Sequence, residues 1–179
     1  AEMLITQLNA QGVAVRTDID LTGAVWKNRP ELSAQPVWPL PVEYAGESSD
    51  SKIKREREFP VEQKADYFLL TSLEDIAWLL NMRGNDVEST PVILSYLLLG
   101  EKKLTWYVQE KCLSEKIKLL LDMQGIKAAP YAQIYEDVKK LPEDESIYYE
   151  KAGVKTALVS SLPEKVKKIE GVNPTFLFK

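Results

Sequence analysis

The run Tyr67-Phe68-Leu69-Leu70-Thr71 constrains the fold more than any other part of the sequence. A strand turns successive side chains to opposite faces, so a run that is apolar at consecutive positions must be covered on both sides. An inner strand with helices above and below it meets that demand, and the flanking residues supply candidates. Ser72 opens a helix with Asp75 three residues on, close to a capping box, and Leu73, Ile76, Ala77 and Leu80 form its apolar stripe. Gly84 is the expected stop. Val92 to Leu99 and Leu104 to Val108, joined by Gly100-Glu101-Lys102-Lys103, read as an antiparallel hairpin. Leu113, Ile117, Leu120 and Leu121 mark another helix, closed by Gly125, and Ile126 to Ala129 a short strand. Ile134, Val138 and Leu141 make a further helical stripe, and Ile147-Tyr148-Tyr149 a strand. Ser161 with Glu164 reads as a second capping box, opening a helix through Val166 and Ile169 to Gly171, after which Thr175 to Phe178 is expected as a closing strand.

The first part of the chain has a different character. Apolar residues 4, 5 and 8 followed by Gly12 predict a short helix, with Val13-Ala14-Val15 as a possible strand. From Trp26 to Gly46, Pro30, Pro36, Pro39 and Pro41 fix φ repeatedly and remove backbone donors, so this stretch reads as an extended, semi-rigid connector. Pro60 interrupts a charged, helix-like segment, Ser51 to Gln63. Together the elements predict an α/β fold, a mixed sheet of about six strands with helices on both faces.

Composition excludes several functions. The 179 residues suffice to bury one real core. A net charge of −4 with interspersed signs does not make the cationic face that nucleic acid requires. Histidine is absent, which removes Ser-His and Cys-His nucleophiles, His-bound zinc and imidazole acid–base catalysis from this chain acting alone. The single Cys112 allows no internal disulfide and fits a reducing, cytoplasmic compartment. The longest apolar stretch, Pro91 to Leu99, is far below the roughly 20 residues that span a bilayer. Position 1 is not methionine and no signal peptide opens the chain, so a piece excised from a longer protein is expected.

Several residue groups invite a chemical reading. Glu74 and Asp75 pair two carboxylates, yet both fall in the first turn of a helix, where the macrodipole favours negative charge. Asp86, Glu88 and Asn85 offer oxygens to a hard cation, or form a solvated loop without the spacing of an EF-hand. Cys112 precedes a helix but has no imidazole to serve as its base, which favours a partly buried structural thiol. Ser160-Ser161 with Lys165 resembles a Ser-Lys dyad, against which stands a capping role for the serine. Asn81 to Asp86 stands apart: the loop carries a cation, Arg83, and an anion, Asp86, three apart, beside Gly84, which permits close backbone approach. The competing reading is a C-capping Gly84 with Arg83 at the negative end of the helix, needing no ligand.

At this loop the sequence becomes recognisable. Thr71 to Glu88 (TSLEDIAWLLNMRGNDVE), continuing through Pro91-Val92 to Ser95-Tyr96, strongly resembles the middle domain of the long, three-domain aminopeptidases P, the Xaa-Pro aminopeptidases. Upstream, Val25-Trp26, Asn28-Arg29-Pro30, Tyr44-Ala45-Gly46 and Lys52 are similar to that family's passage from first to second domain, and Asn173-Pro174-Thr175 to the last strand before its catalytic domain. The resemblance implies a creatinase N-terminal, ribonuclease H-like domain over residues 48–179, preceded by a connector (26–47) and the tail of a first domain (1–25). It implies that catalysis belongs to a pita-bread domain outside this chain, where two Asp, two Glu and a His hold two divalent metals, usually manganese. The expected partners are that catalytic domain and a peptide with proline at its second position, in a parent that commonly dimerises. By the same similarity Arg83, Gly84, Asn85 and Asp86 are expected on the face that meets the catalytic cleft; an internal Arg83–Asp86 ion pair that fixes the loop is the alternative. A scaffold domain of an inactive homologue is the second functional reading. One departure is visible, Pro60 within Arg55 to Val61, from which a kinked or shortened first helix is expected.

Overall fold

The computed structural model describes residues 2–16 and 19–179. Among them the helices and strands follow in the order α1 (Glu2–Ala10), α2 (Leu21–Val25), β1 (Trp38–Pro39), α3 (Val42–Ala45), α4 (Ser49–Glu62), β2 (Tyr67–Leu70), α5 (Leu73–Leu80), β3 (Met82–Arg83) and β4 (Ser95–Gly100). There follow β5 (Leu104–Val108), α6 (Glu115–Met123), β6 (Ile126–Pro130), α7 (Ile134–Val138), β7 (Ser146–Tyr149), α8 (Thr156–Ser160), β8 (Lys167–Glu170) and α9 (Thr175–Phe178). Six strands make one mixed sheet in the order β6-β5-β4-β2-β7-β8. The hairpin β4–β5 and the pair β2–β4 are antiparallel, and the pairs β5–β6, β2–β7 and β7–β8 are parallel.

The double burial required of β2 is met by two separate cores. Phe68 and Leu70 point into a core with Leu97, Leu99 and Trp106, closed by Ile53 of α4, Leu79 of α5 and Ile117 of α6. Leu69 points the other way, with Leu98 and Tyr149, and is closed by Ile134 and Val138 of α7 and Leu158 of α8. Each such apolar side chain contributes about 1.5–3 kcal/mol by leaving water, so the covered sheet, not the capping of individual helices, carries the fold. No helix among the described residues is long and apolar enough to cross a membrane.

Five local expectations need correcting. Val13 to Val15 forms no strand: it has no sheet partner among the described residues and is largely exposed. Helix α5 ends at Asn81, not Gly84; Asn81 takes the left-handed conformation (φ 51°, ψ 35°), which Asn tolerates better than most residues with a side chain. Residues Ser161 to Val166 are a turn, and Lys167–Glu170 is an edge strand where a helix is expected, because β7 needs a partner and finds one in the exposed, charged β8. Thr175 to Phe178 is a short helix, not a strand: Asn173 Oδ1 accepts the Thr175 N–H at 3.1 Å and Pro174 starts the turn with φ −65°. Finally, α4 runs through Pro60 to Glu62 without being shortened; the proline sits in the last turn, where its missing N–H costs one helical hydrogen bond.

Candidate functional site

The loop after α5 is assembled from three parts of the chain. Ser48 caps α4 by accepting the Ser51 N–H at 3.3 Å, and the helix buries a stripe at Ser49, Lys52, Ile53, Glu56 and Pro60. That stripe brings Lys52, 1% exposed, under the C-terminal end of α5. Its ammonium donates to Trp78 O at 3.0 Å and to Asn81 Oδ1 at 2.7 Å, and lies 4.6 Å from the centre of the Trp78 ring. Burial pushes its pKa down, partly offset by Glu47. Asn81 in turn donates through Nδ2 to Glu47 O at 2.8 Å, while its N–H closes the helix on Ala77 O and Trp78 O. Both polar atoms of the Asn81 side chain and its backbone N–H are thereby used, as burial demands.

The connector clamps the loop from outside. Trp38 pairs with Arg83 and Pro39 with Met82 in a two-stranded antiparallel ladder, and Leu40 N–H donates to Asn81 O at 2.7 Å. Gly84 is buried and leaves no room for a side chain: a Cβ there would stand 2.7 Å from Ile93 Cγ1 and 3.2 Å from Val92 O, in the segment that leads into β4. Asp86 fastens the far side: Oδ1 accepts the Gln35 N–H at 3.1 Å and Oδ2 the Leu94 N–H at 2.9 Å.

Arg83 and Asp86 therefore share one loop without pairing with each other; among the described residues no ion pair joins them. Arg83 Nη1 donates to Ala77 O at 2.5 Å and to Met82 O at 2.9 Å, at the negative end of α5, and burial lowers its pKa. No hydrogen bond from Nε or Nη2 reaches a described residue, and the side chain is half-exposed. Asn85, beside it, is exposed. The loop thus leaves Nε and Nη2 of the half-buried Arg83 without a hydrogen bond among the described residues, beside the exposed Asn85.

The other candidates are used structurally. Asp75 is buried at the start of α5, where Ser72 Oγ accepts its N–H at 3.4 Å, and Glu74 is exposed. Ser161 does not cap a following helix: its hydroxyl donates to Ala157 O at 2.8 Å, and Lys165 pairs with Glu143 at 2.7 Å. Cys112 is buried outright, and burial, with Asp86 nearby, pushes its thiol up to about 11. An open groove of about 650 Å³ lined by Arg57, Tyr67, Gly100 and Glu145 among others lies at the other end of β4 from the loop.

Residues 28–179 match the Creatinase/Prolidase N-terminal domain. The chain belongs to that family. Within the creatinase/prolidase N-terminal family it is similar to a probable Xaa-Pro aminopeptidase P of Coprinopsis cinerea, 32% identical over 142 residues, and to aminopeptidase P1 of Lotus japonicus, 34% identical over 131. These alignments cover 79% and 73% of the chain but 23% and 20% of the relatives, so it spans about a fifth of their length. Its fold matches part of X-prolyl aminopeptidase from Caenorhabditis elegans, described as a cytosolic enzyme with a di-nuclear active site. That match has a TM-score of 0.86 at 24% identity, covering 96% of this chain and 29% of that one.

The sequence marks the loop Asn81 to Asp86, and Lys52 within the connector's resemblance, but not that Lys52, the Asn81 side chain and the Gln35–Leu40 backbone hold Arg83 to Asp86 in place. A signal for Lys52 and Glu56 existed: positions 49, 52, 53, 56 and 60 follow helical spacing, which places two charges on the buried face.

Proposed function

We propose that this chain is a non-catalytic domain of a metal-dependent Xaa-Pro aminopeptidase, packing on the catalytic domain and enclosing the cleft where an N-terminal residue preceding proline is removed. The observation that carries this reading is the loop 81–86, rigidly held from behind, with the free rim of Arg83 and the exposed Asn85 in front. A fixed donor fork suits the carboxylate or carbonyl groups of a peptide or of a facing domain. A wall at the cleft positions substrate and limits water, both of which favour hydrolysis by an activated hydroxide.

When bound, two divalent ions, manganese in this proposal, would supply that hydroxide. The ligand set for these ions is assigned, in the same proposal, to the catalytic domain. Residues 1–25 are proposed as the tail of a preceding domain, 26–47 as the connector and 48–179 as the body, in a cytoplasmic, homodimeric parent.

Asn85→Cys tests the placement. In the longer protein, freed of other exposed thiols, a bulky maleimide would label the new thiol; Cys112 is buried with its thiol pushed up to about 11 and stays unmodified. The label is expected to cut turnover of an Xaa-Pro peptide by at least about tenfold with the melting temperature unchanged. Unaltered turnover would turn the loop away from the cleft.

A further inference from the structure

The buried stripe of α4 carries two charges, and only Lys52 is partnered. Glu56 is 0% exposed, and neither Oε1 nor Oε2 has a hydrogen-bond partner among the described residues. A carboxylate cannot stay ionised in such surroundings without a partner and takes up a proton instead. Burial, reinforced by the negative charge of Asp75 and opposed by Arg55, raises its pKa from 4.5 to about 8.

Asp75 is also where the end of the chain is fastened. Its Oδ2 accepts from Asn173 Nδ2 and its Oδ1 from Lys179 Nζ. Asn173 Oδ1 accepts from the N–H and the hydroxyl of Thr175, which starts α9, and the Phe178 ring of α9 lies 5.2 Å from the Arg55 guanidinium, next in sequence to Glu56. The charges that act on Glu56 are Asp75 on α5, which opposes its ionisation and is tied to Lys179 after α9, and Arg55 on its own helix, which favours it but is paired with Glu47 at 2.9 Å. Lys52, one turn earlier, is spent on Trp78 and Asn81.

We propose that Glu56 is a proton-operated latch for residues 173–179: uncharged, it leaves Asp75 to hold Asn173 and Lys179, and loss of its proton to solvent places two like charges beneath the segment and loosens it. The latch stands on this cluster and is independent of the chemistry of the longer protein.

Hydrogen exchange on the chain, corrected for the intrinsic pH dependence of amide exchange, tests it. Between about pH 6.5 and pH 9 the protection of the Thr175, Phe176 and Leu177 amides is expected to fall about tenfold or more, through an opening that leaves Leu97 to Leu99 of β4, which exchange only with the whole fold, far more protected at both pH values. Glu56→Gln, which cannot ionise, is expected to make the segment's protection independent of pH, and Glu56→Leu serves as a second non-ionising variant. A segment equally protected at both pH values in the parent chain, or losing protection alike in the variants, would overturn the proposal.

Discussion

Lys52→Met should lower the unfolding free energy of the chain by about 2–4 kcal/mol and release the loop 81–86 from its place. Methionine keeps the apolar length of the lysine stem in the core but removes every donor. Trp78 O and Asn81 Oδ1 then each lose a hydrogen bond at a junction that excludes water, and the cation over the Trp78 ring is gone. Asn81 holds a left-handed conformation at the end of α5, and with its side chain loose on one side that turn loses a restraint. Denaturant unfolding reads the first effect. Hydrogen exchange at the Leu40 amide, which donates to Asn81 O, reads the second, and its protection should fall. A destabilisation under about 0.5 kcal/mol would show that the ammonium is not what fixes the loop.

Glu56→Leu is expected to act in the opposite direction, stabilising the chain by about 2–4 kcal/mol near pH 8. The sign follows from linkage. The folded-state pKa is raised, from 4.5 to about 8, so the folded chain binds a proton more tightly than the unfolded one. The stability that Glu56 allows is therefore fully present below about pH 4.5 and declines as pH rises to about 8, by an amount on the order of 4 kcal/mol. Leucine removes that decline. Parent and variant should lie within about 1 kcal/mol of each other at pH 4.5 and diverge above it, and denaturant melts across that range check the prediction. A variant less stable than its parent at pH 8 would mean that the carboxylate is ionised and paired in the fold.

The sheet was the legible part of this protein. Consecutive apolar residues at Tyr67 to Leu70 and the flanking hairpin left few arrangements, because burial on both faces is a strong requirement and shows directly as residue type. The end of the chain was not legible in the same way. Lys167 to Glu170 and Thr175 to Phe178 are both short, and whether each becomes strand or helix is decided by a partner edge in one case and by the Asn173 side chain in the other. Local propensity carries neither piece of information. The candidate loop was legible as Arg83 to Asp86, since a cation, a glycine and an anion after a helix stand out. Its supports were legible only in part: helical spacing puts Lys52 on the buried face of α4, but the groups that Arg83 and Asp86 bind are backbone carbonyls and amides, which no side-chain pattern reveals.

The claim that this domain presents a preset loop to the cleft of a longer enzyme is tested most directly by kcat/KM for an Xaa-Pro peptide after Arg83→Ala in that longer protein. The loop's supports through Lys52, Asn81 and Asp86 remain, so the expected result is about a 10–100-fold loss of kcat/KM with a destabilisation of only about 1 kcal/mol. Unchanged kinetics beside a lowered melting temperature would contradict it, and would leave Arg83 as no more than the closure of α5.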